Sequence, residues 1–150
     1  MLLIITYEFF KKLFTLRIND MGLDTTHDCW HGGYSSFNIW RDKVAEVAGY
    51  EIKNFDGKTT PVIDWDSITR GNLYGEWERA PEDPLMILIA HSDCDGRIKA
   101  EFTKPLADRL TPLVPLMPDA IGPGHWRKKT QQFIDGLLDA HSNDEDVEFW

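Results

Sequence analysis

An apolar run that stops abruptly on polar side chains constrains this chain most: Met86 to Gly96, M-I-L-I-A-H-S-D-C-D-G. Residues 86–90 are uncharged and mostly branched, with Pro84 before and Gly96 after, and they predict a buried strand. Residues that follow such a strand leave the core together at one edge of a sheet, where ligands of open α/β sheets collect. His91, Asp93, Cys94 and Asp95 are therefore candidate binding residues, since packing gives no reason to gather an imidazole, a thiol and two acids there. The alternative is a turn in which Asp93 and Asp95 bond nearby backbone N–H groups and Gly96 takes φ > 0.

A second dense cluster lies in M-G-L-D-T-T-H-D-C-W-H-G-G-Y-S-S-F-N-I-W-R, which begins at Met21. His27, Asp28, Cys29 and His31 fall within five positions, and the glycine pair Gly32-Gly33 favours a loop over a helix. As a metal site the cluster is incomplete, and the 91–95 residues are the obvious further donors. The competing reading has Trp30 and Tyr34 plugging the core while the histidines face water.

Around these clusters the periodicity predicts three helices and a hairpin. Phe37, Trp40, Val44, Val47 and Ala48 recur at helical spacing, with Ser35 or Ser36 as a cap and Gly49 as the stop. Residues 50–63 read as a hairpin about Asp56-Gly57, with Pro61 near an edge. Asp66 or Ser67 suits the cap of a short helix. Thr103 is a plausible cap for a helix near 104–111, and Pro112, Pro115 and Pro118 force a bent or 3₁₀ segment after it. I-G-P-G at 121–124 is a hinge-like loop. Trp126, Thr130, Phe133, Ile134, Leu137, Leu138 and His141 line one face of a closing helix over 125–141. Arg127, Lys128 and Lys129 stand at its start, the unfavourable end for cations. The tail S-N-D-E-D-V-E-F-W is acidic with an apolar finish, and it can add a strand, dock on the domain or present a peptide.

Residues 1–20 differ from the rest, being apolar on all sides except for Glu8, Lys11, Lys12 and Arg17. They lack the order of a secretory signal. An interfacial helix and a core element are alternatives; the preferred reading is that Met21 is the true start, leaving residues 21–150 as one globular domain. With 42% hydrophobic and 27% charged residues among 150, that domain can bury a real core. The net charge of −9 argues against direct nucleic-acid binding through phosphates and suits a basic partner surface. Two cysteines make no disulfide framework, which points to a reducing, cytoplasmic setting, and no run is long enough to span a membrane.

H-S-D-C-D-G at 91–96 resembles the H-x-D-x-D-G motif of DHH-type phosphoesterases, in which carboxylates bind catalytic manganese. The resemblance covers six residues, and no Asp-His-His triplet occurs in the chain. It implies Asp93 and Asp95 as metal ligands with His91 beside them, and a divalent metal (manganese, magnesium or zinc) as cofactor. A broader likeness covers most of the chain after residue 20: the 21–41 segment, the 91–96 turn and the closing helix with its acidic tail resemble small acidic proteins encoded in bacteriophages and prophages. That likeness carries no catalytic residues over. It implies a small protein in the cytoplasm of an infected bacterium.

The expected fold is α/β or α+β, with strand 86–90 and the 50–63 hairpin in a short sheet flanked by about three helices. The expected function is that of a phage-type accessory protein acting by binding, which inhibits a host defence protein or sequesters a small ligand. The alternative is a metal-dependent phosphoester hydrolase using the His91-Asp93-Asp95 turn, with His27, His31 or His91 as ligand or general base.

Overall fold

Apolar side chains at helical spacing produce the long helices that enclose the core. The computed structural model describes residues 22–50, 52–55, 58–61, 70–118 and 125–150. The order is β1 (Gly22–Asp24), a 3₁₀ turn (Thr26–Asp28), β2 (His31–Gly33), α1 (Tyr34–Val47), β3 (Ile52–Phe55), β4 (Lys58–Pro61) and α2 (Arg70–Leu73). Then come α3 (Met86–Ile89), β5 (Arg97–Ile98), α4 (Ala100–Leu110), a 3₁₀ segment (Thr111–Leu116), α5 (Trp126–Ser142) and β6 (Val147–Glu148). The fold is mixed, α+β. The leading segment 1–20, the Asp56-Gly57 turn, the cap at Asp66 or Ser67 and the 121–124 loop lie outside the described residues.

The 86–90 run is not a strand. It forms the short buried helix α3, with Ile87 N–H donating to Pro84 O at 3.1 Å and Ile89 N–H to Leu85 O at 3.0 Å. A five-residue apolar run carries too few residues for its period to separate a strand from a helix buried on all sides. The deciding signal is Asp83-Pro84. Asp83 Oδ1 accepts Leu85 N–H at 2.9 Å, and a proline suits the first turn because it has no N–H to leave unpaired. The residues after α3 therefore do not sit at a sheet edge.

The hairpin β3–β4 forms as expected, antiparallel with Ile52 opposite Pro61, but it pairs with no other described strand. A second arrangement is built from distant pieces. β1 pairs with β2, Asp24 facing His31, and β5 pairs with β6, Ile98 facing Val147. A bridge between Thr25 and Phe149 joins the two pairs. Asp24 and Trp150 also exchange both backbone bonds at 3.0 Å. Residues 147–150 thus run as the middle strand between β1 and β5, so the tail adds a strand.

α1 buries Phe37, Trp40, Val44 and Ala45, and starts one residue before Ser35, capped by no side chain. Gly49, at φ 98°, stops it. α4 begins earlier than expected, at Ala100, because Asp146 Oδ1 accepts the Ala100 N–H at 2.7 Å from across the fold. Thr103 is buried inside this helix and donates to Ala100 O instead of capping. Beyond it the chain tightens to the 3₁₀ segment that its prolines predict. α5 buries Thr130, Phe133, Ile134, Gly136, Leu137 and Ala140, whereas Leu138 and His141 face solvent. Its first turn uses its cations locally: Arg127 Nε donates to Met117 O at 2.9 Å, and Lys129 Nζ lies 4.3 Å from the Trp30 ring centre.

An aromatic cluster fills the space between α1, α5 and the middle strand. Trp40 packs 5.3 Å from Trp30 and 5.0 Å from Phe133, and Phe149 meets Phe37 at 6.0 Å. Trp40 Nε1 donates to Thr130 Oγ1 at 2.9 Å, so the one polar edge of this ring is satisfied inside the core. Phe149→Ala is expected to cost about 3–5 kcal/mol, the range for deleting a buried phenylalanine ring. Trp150→Ala, at a side chain 59% exposed, is expected to stay within about 0.5 kcal/mol. Urea midpoints at unchanged m-value measure both, and equal losses would remove the tail from the core.

Candidate functional site

The 91–96 turn is built as the bland turn. His91 is 3% exposed, its Nδ1 2.7 Å from Ser92 O and its Nε2 3.0 Å from Arg97 O. Its ring lies 4.1 Å from that of Phe149. Burial lowers the His91 pKa against the pull of the two carbonyls, and the Arg41 charge lowers it further. Asp93 accepts from Asn38 Nδ2 at 2.9 Å, and Asp95 Oδ1 takes the Gly96 N–H at 2.7 Å. Cys94 is exposed, with Sγ 3.6 Å from Ser92 Oγ. Gly96 sits at φ 90°, and a Cβ there would meet Tyr74 O at 2.6 Å, so this position needs glycine.

Arg41 anchors the turn from α1. Its guanidinium donates to the carbonyls of Leu88, Ile89 and His91 and to Asn38 Oδ1, closing the carbonyl end of α3. Burial lowers its pKa to about 10, with Asp93 and Asp42 pulling the other way. With both His91 nitrogens facing carbonyls, His91, Asp93 and Asp95 make no donor set for one ion. Among the described residues no group of three or more His, Cys, Asp or Glu is placed to hold a metal. The turn as built does not fit the divalent metal that the phosphoesterase motif implies.

The 27–31 cluster has a different character. His27 and Asp28 both take left-handed backbone, φ 59° and 55°, a costly conformation for two successive non-glycine residues. The turn is pressed onto α5 at Gly136, where a Cβ would lie 2.4 Å from Cys29 Sγ and 2.7 Å from His27 O. One turn along α5, Asp139 Oδ2 meets His27 Nδ1 at 2.8 Å. Gln132 Nε2 donates to Asp28 O at 2.9 Å. Two shallow grooves meet at His27. One, of about 490 Å³, is lined by His27, Asp28, Lys128, Gln131, Gln132, Asp135, Gly136 and Asp139. The other, of about 560 Å³, is lined by Thr26, His27, Asp144, Glu145, Asp146 and Glu148.

His31 is half exposed and lies between two carboxylates, Nδ1 2.7 Å from Asp24 and Nε2 2.9 Å from Asp28. Both bonds together require the imidazolium, and the Asp24 and Asp28 hydrogen bonds raise its pKa. Cys29 is fully buried, its thiol pushed up to about 12 by burial. It is therefore packing, neither nucleophile nor metal ligand at neutral pH. Trp30 is buried as well, so the loop combines core-plugging aromatics with histidines at the surface.

Among the described residues no hydrogen bond or ion pair joins the 27–31 cluster to the 91–95 cluster; each meets the middle strand separately, the first through Thr25 and the second through His91 on Phe149. Sequence reading did not single out Asp135, Asp139, Asp144, Glu145, Asp146 and Glu148 as groove residues. The acidity of 144–148 was visible, but the pairing of His27 with a residue 112 positions away has no sequence signal.

Two outcomes follow from this chemistry. Iodoacetamide is expected to label Cys94 alone in the native protein and both cysteines in urea; native labelling of Cys29 would contradict its burial. The His31 clasp contributes most below the ordinary histidine range near 6.5 and is lost as pH rises through its raised folded value. The stability gap between wild type and His31→Gln should close from about pH 5.5 to 8.5, by less than about 1 kcal/mol given the exposure. A constant gap would mean the clasp is absent. No protein-family model matches this chain, and no curated protein or solved structure is similar to it.

Proposed function

We propose that this chain is a phage-type accessory protein that acts by binding in the cytoplasm of a host bacterium. It engages a basic host surface, that of a defence protein, or sequesters a small ligand. One observation carries this reading: the paired grooves at His27. Asp28, Asp135 and Asp139 line one side and Asp144, Glu145, Asp146 and Glu148 the other, against the single ammonium of Lys128. An acidic lining on a chain of net charge −9 raises the local concentration of cationic partners and repels phosphate. A surface that normally grips nucleic acid has the complementary charge. Among the described residues no helix is long and apolar enough to cross a membrane.

The test is affinity capture from bacterial lysate with wild type and with the Glu145→Lys/Glu148→Lys double variant. Wild type should retain a discrete basic protein whose recovery falls at least tenfold as salt rises from about 0.05 to 0.5 M. The double variant should lose it while keeping its urea midpoint. Equal recovery by both proteins would sink the acidic-face reading.

A further inference from the structure

We infer that His27 Nε2 is the acceptor at the centre of a recognition site for an arginine side chain of the basic partner. This rests on the acidic-face reading and names what that face holds. Asp139 lies against Nδ1 at 2.8 Å, so the neutral ring carries its proton there and leaves the Nε2 lone pair free. Only 10% of the His27 side chain is exposed, yet Nε2 has no bonding partner among the described residues. The fully buried side-chain polar atoms left unpaired are the Trp30 and Trp77 indole nitrogens, so Nε2 opens to the surface, between the two grooves that His27 lines.

The surroundings demand a donor-rich cation. Asp146 is already occupied by Arg97 at 3.3 Å and by the Ala100 N–H. Asp144, Glu145 and Glu148 form no ion pair among the described residues, and they share the second groove with His27. An acceptor nitrogen beside acceptor carboxylates cannot satisfy a neutral or anionic ligand. A guanidinium fits, because its planar fork presents five N–H donors in fixed directions and reaches imidazole and carboxylate together. An ammonium is a compact, strongly hydrated point charge and serves fewer of these acceptors at once.

The test is calorimetric titration at about 50 mM salt with N-acetylated hexaarginine amide and, in parallel, hexalysine amide. Wild type should bind hexaarginine about threefold or more tighter than hexalysine. His27→Asn keeps a residue that tolerates left-handed backbone but removes the ring. It should weaken hexaarginine about tenfold and erase the preference, as loss of one charge-assisted bond implies. On the wild type itself, the His27 Nε2 nuclear magnetic resonance signal should shift on adding hexaarginine while those of His125 and His141 stay still, a readout that needs no variant. Binding insensitive to His27→Asn but lost in Glu145→Gln/Glu148→Gln would overturn the His27 site and leave the acidic face standing. Absence of binding to either peptide would overturn both.

Discussion

Residues 147–150 supply the pairing partner that β1 and β5 would otherwise lack, and most of the molecule hangs on that strand. A backbone N–H or C=O buried without a partner costs as much as a lost hydrogen bond, so two short strands from opposite ends of the sequence need a third between them. The middle strand meets β1 through Asp24 and Thr25, and β5 through Val147 and the bond from Phe149 N–H to Gly96 O at 2.9 Å. Its side chains reach further than its backbone. Phe149 closes the aromatic cluster and covers the His91 ring. Just before it, Asp146 caps α4 and pairs with Arg97, while Glu148 N–H is taken by Thr26 Oγ1 at 2.9 Å. One short segment thus ties both dense clusters to the core.

That arrangement explains why the 91–96 turn gathers so many chemically capable side chains without making a site. α3 ends inside the protein, where its last carbonyls have no water to meet. Arg41 supplies donors to them, and burial of its charge is tolerable because Asn38 and nearby Asp93 complete the network. His91 does the same for the carbonyls of Ser92 and Arg97. The imidazole, the guanidinium and the carboxylate answer the polar needs of a buried helix end. A motif of reactive residue types and a constellation with open coordination positions are different things, and only geometry separates them.

What the chain announces locally, it delivers. α1, α5, the hairpin and the 3₁₀ segment at Pro112 follow from periodicity, turn chemistry and proline, all effects within a few residues. The misses are of another kind. The run 86–90 carries no usable period, and its helical state is set by Asp83-Pro84 at one end and by Arg41, more than forty positions away, at the other. Thr103 was a reasonable cap on local grounds, yet Asp146 does that work from a distant loop. The 27–31 cluster was legible as a concentration of polar residues in a loop. Its sorting was not: burial takes Cys29 out of chemistry, Asp24 and Asp28 claim His31, and only His27 retains an open nitrogen.

The conformation of His27 gives that last distinction physical weight. Two consecutive left-handed residues cost of order 1–3 kcal/mol each, and nothing in their own side chains requires that backbone. The surrounding contacts impose it. Gly136 lets α5 approach within the space a methyl group would fill, Gln132 fixes the Asp28 carbonyl, and the His31 clasp holds the Asp28 carboxylate. A relaxed turn would serve the fold at lower cost if its only task were to connect β1 to β2. The strained one sets the His27 ring against Asp139 with Nε2 open where two acidic grooves meet. Strain stabilised from three sides and spent on a single open nitrogen is the strongest physical reason to look for the partner there, ahead of the richer-looking turn at 91–96.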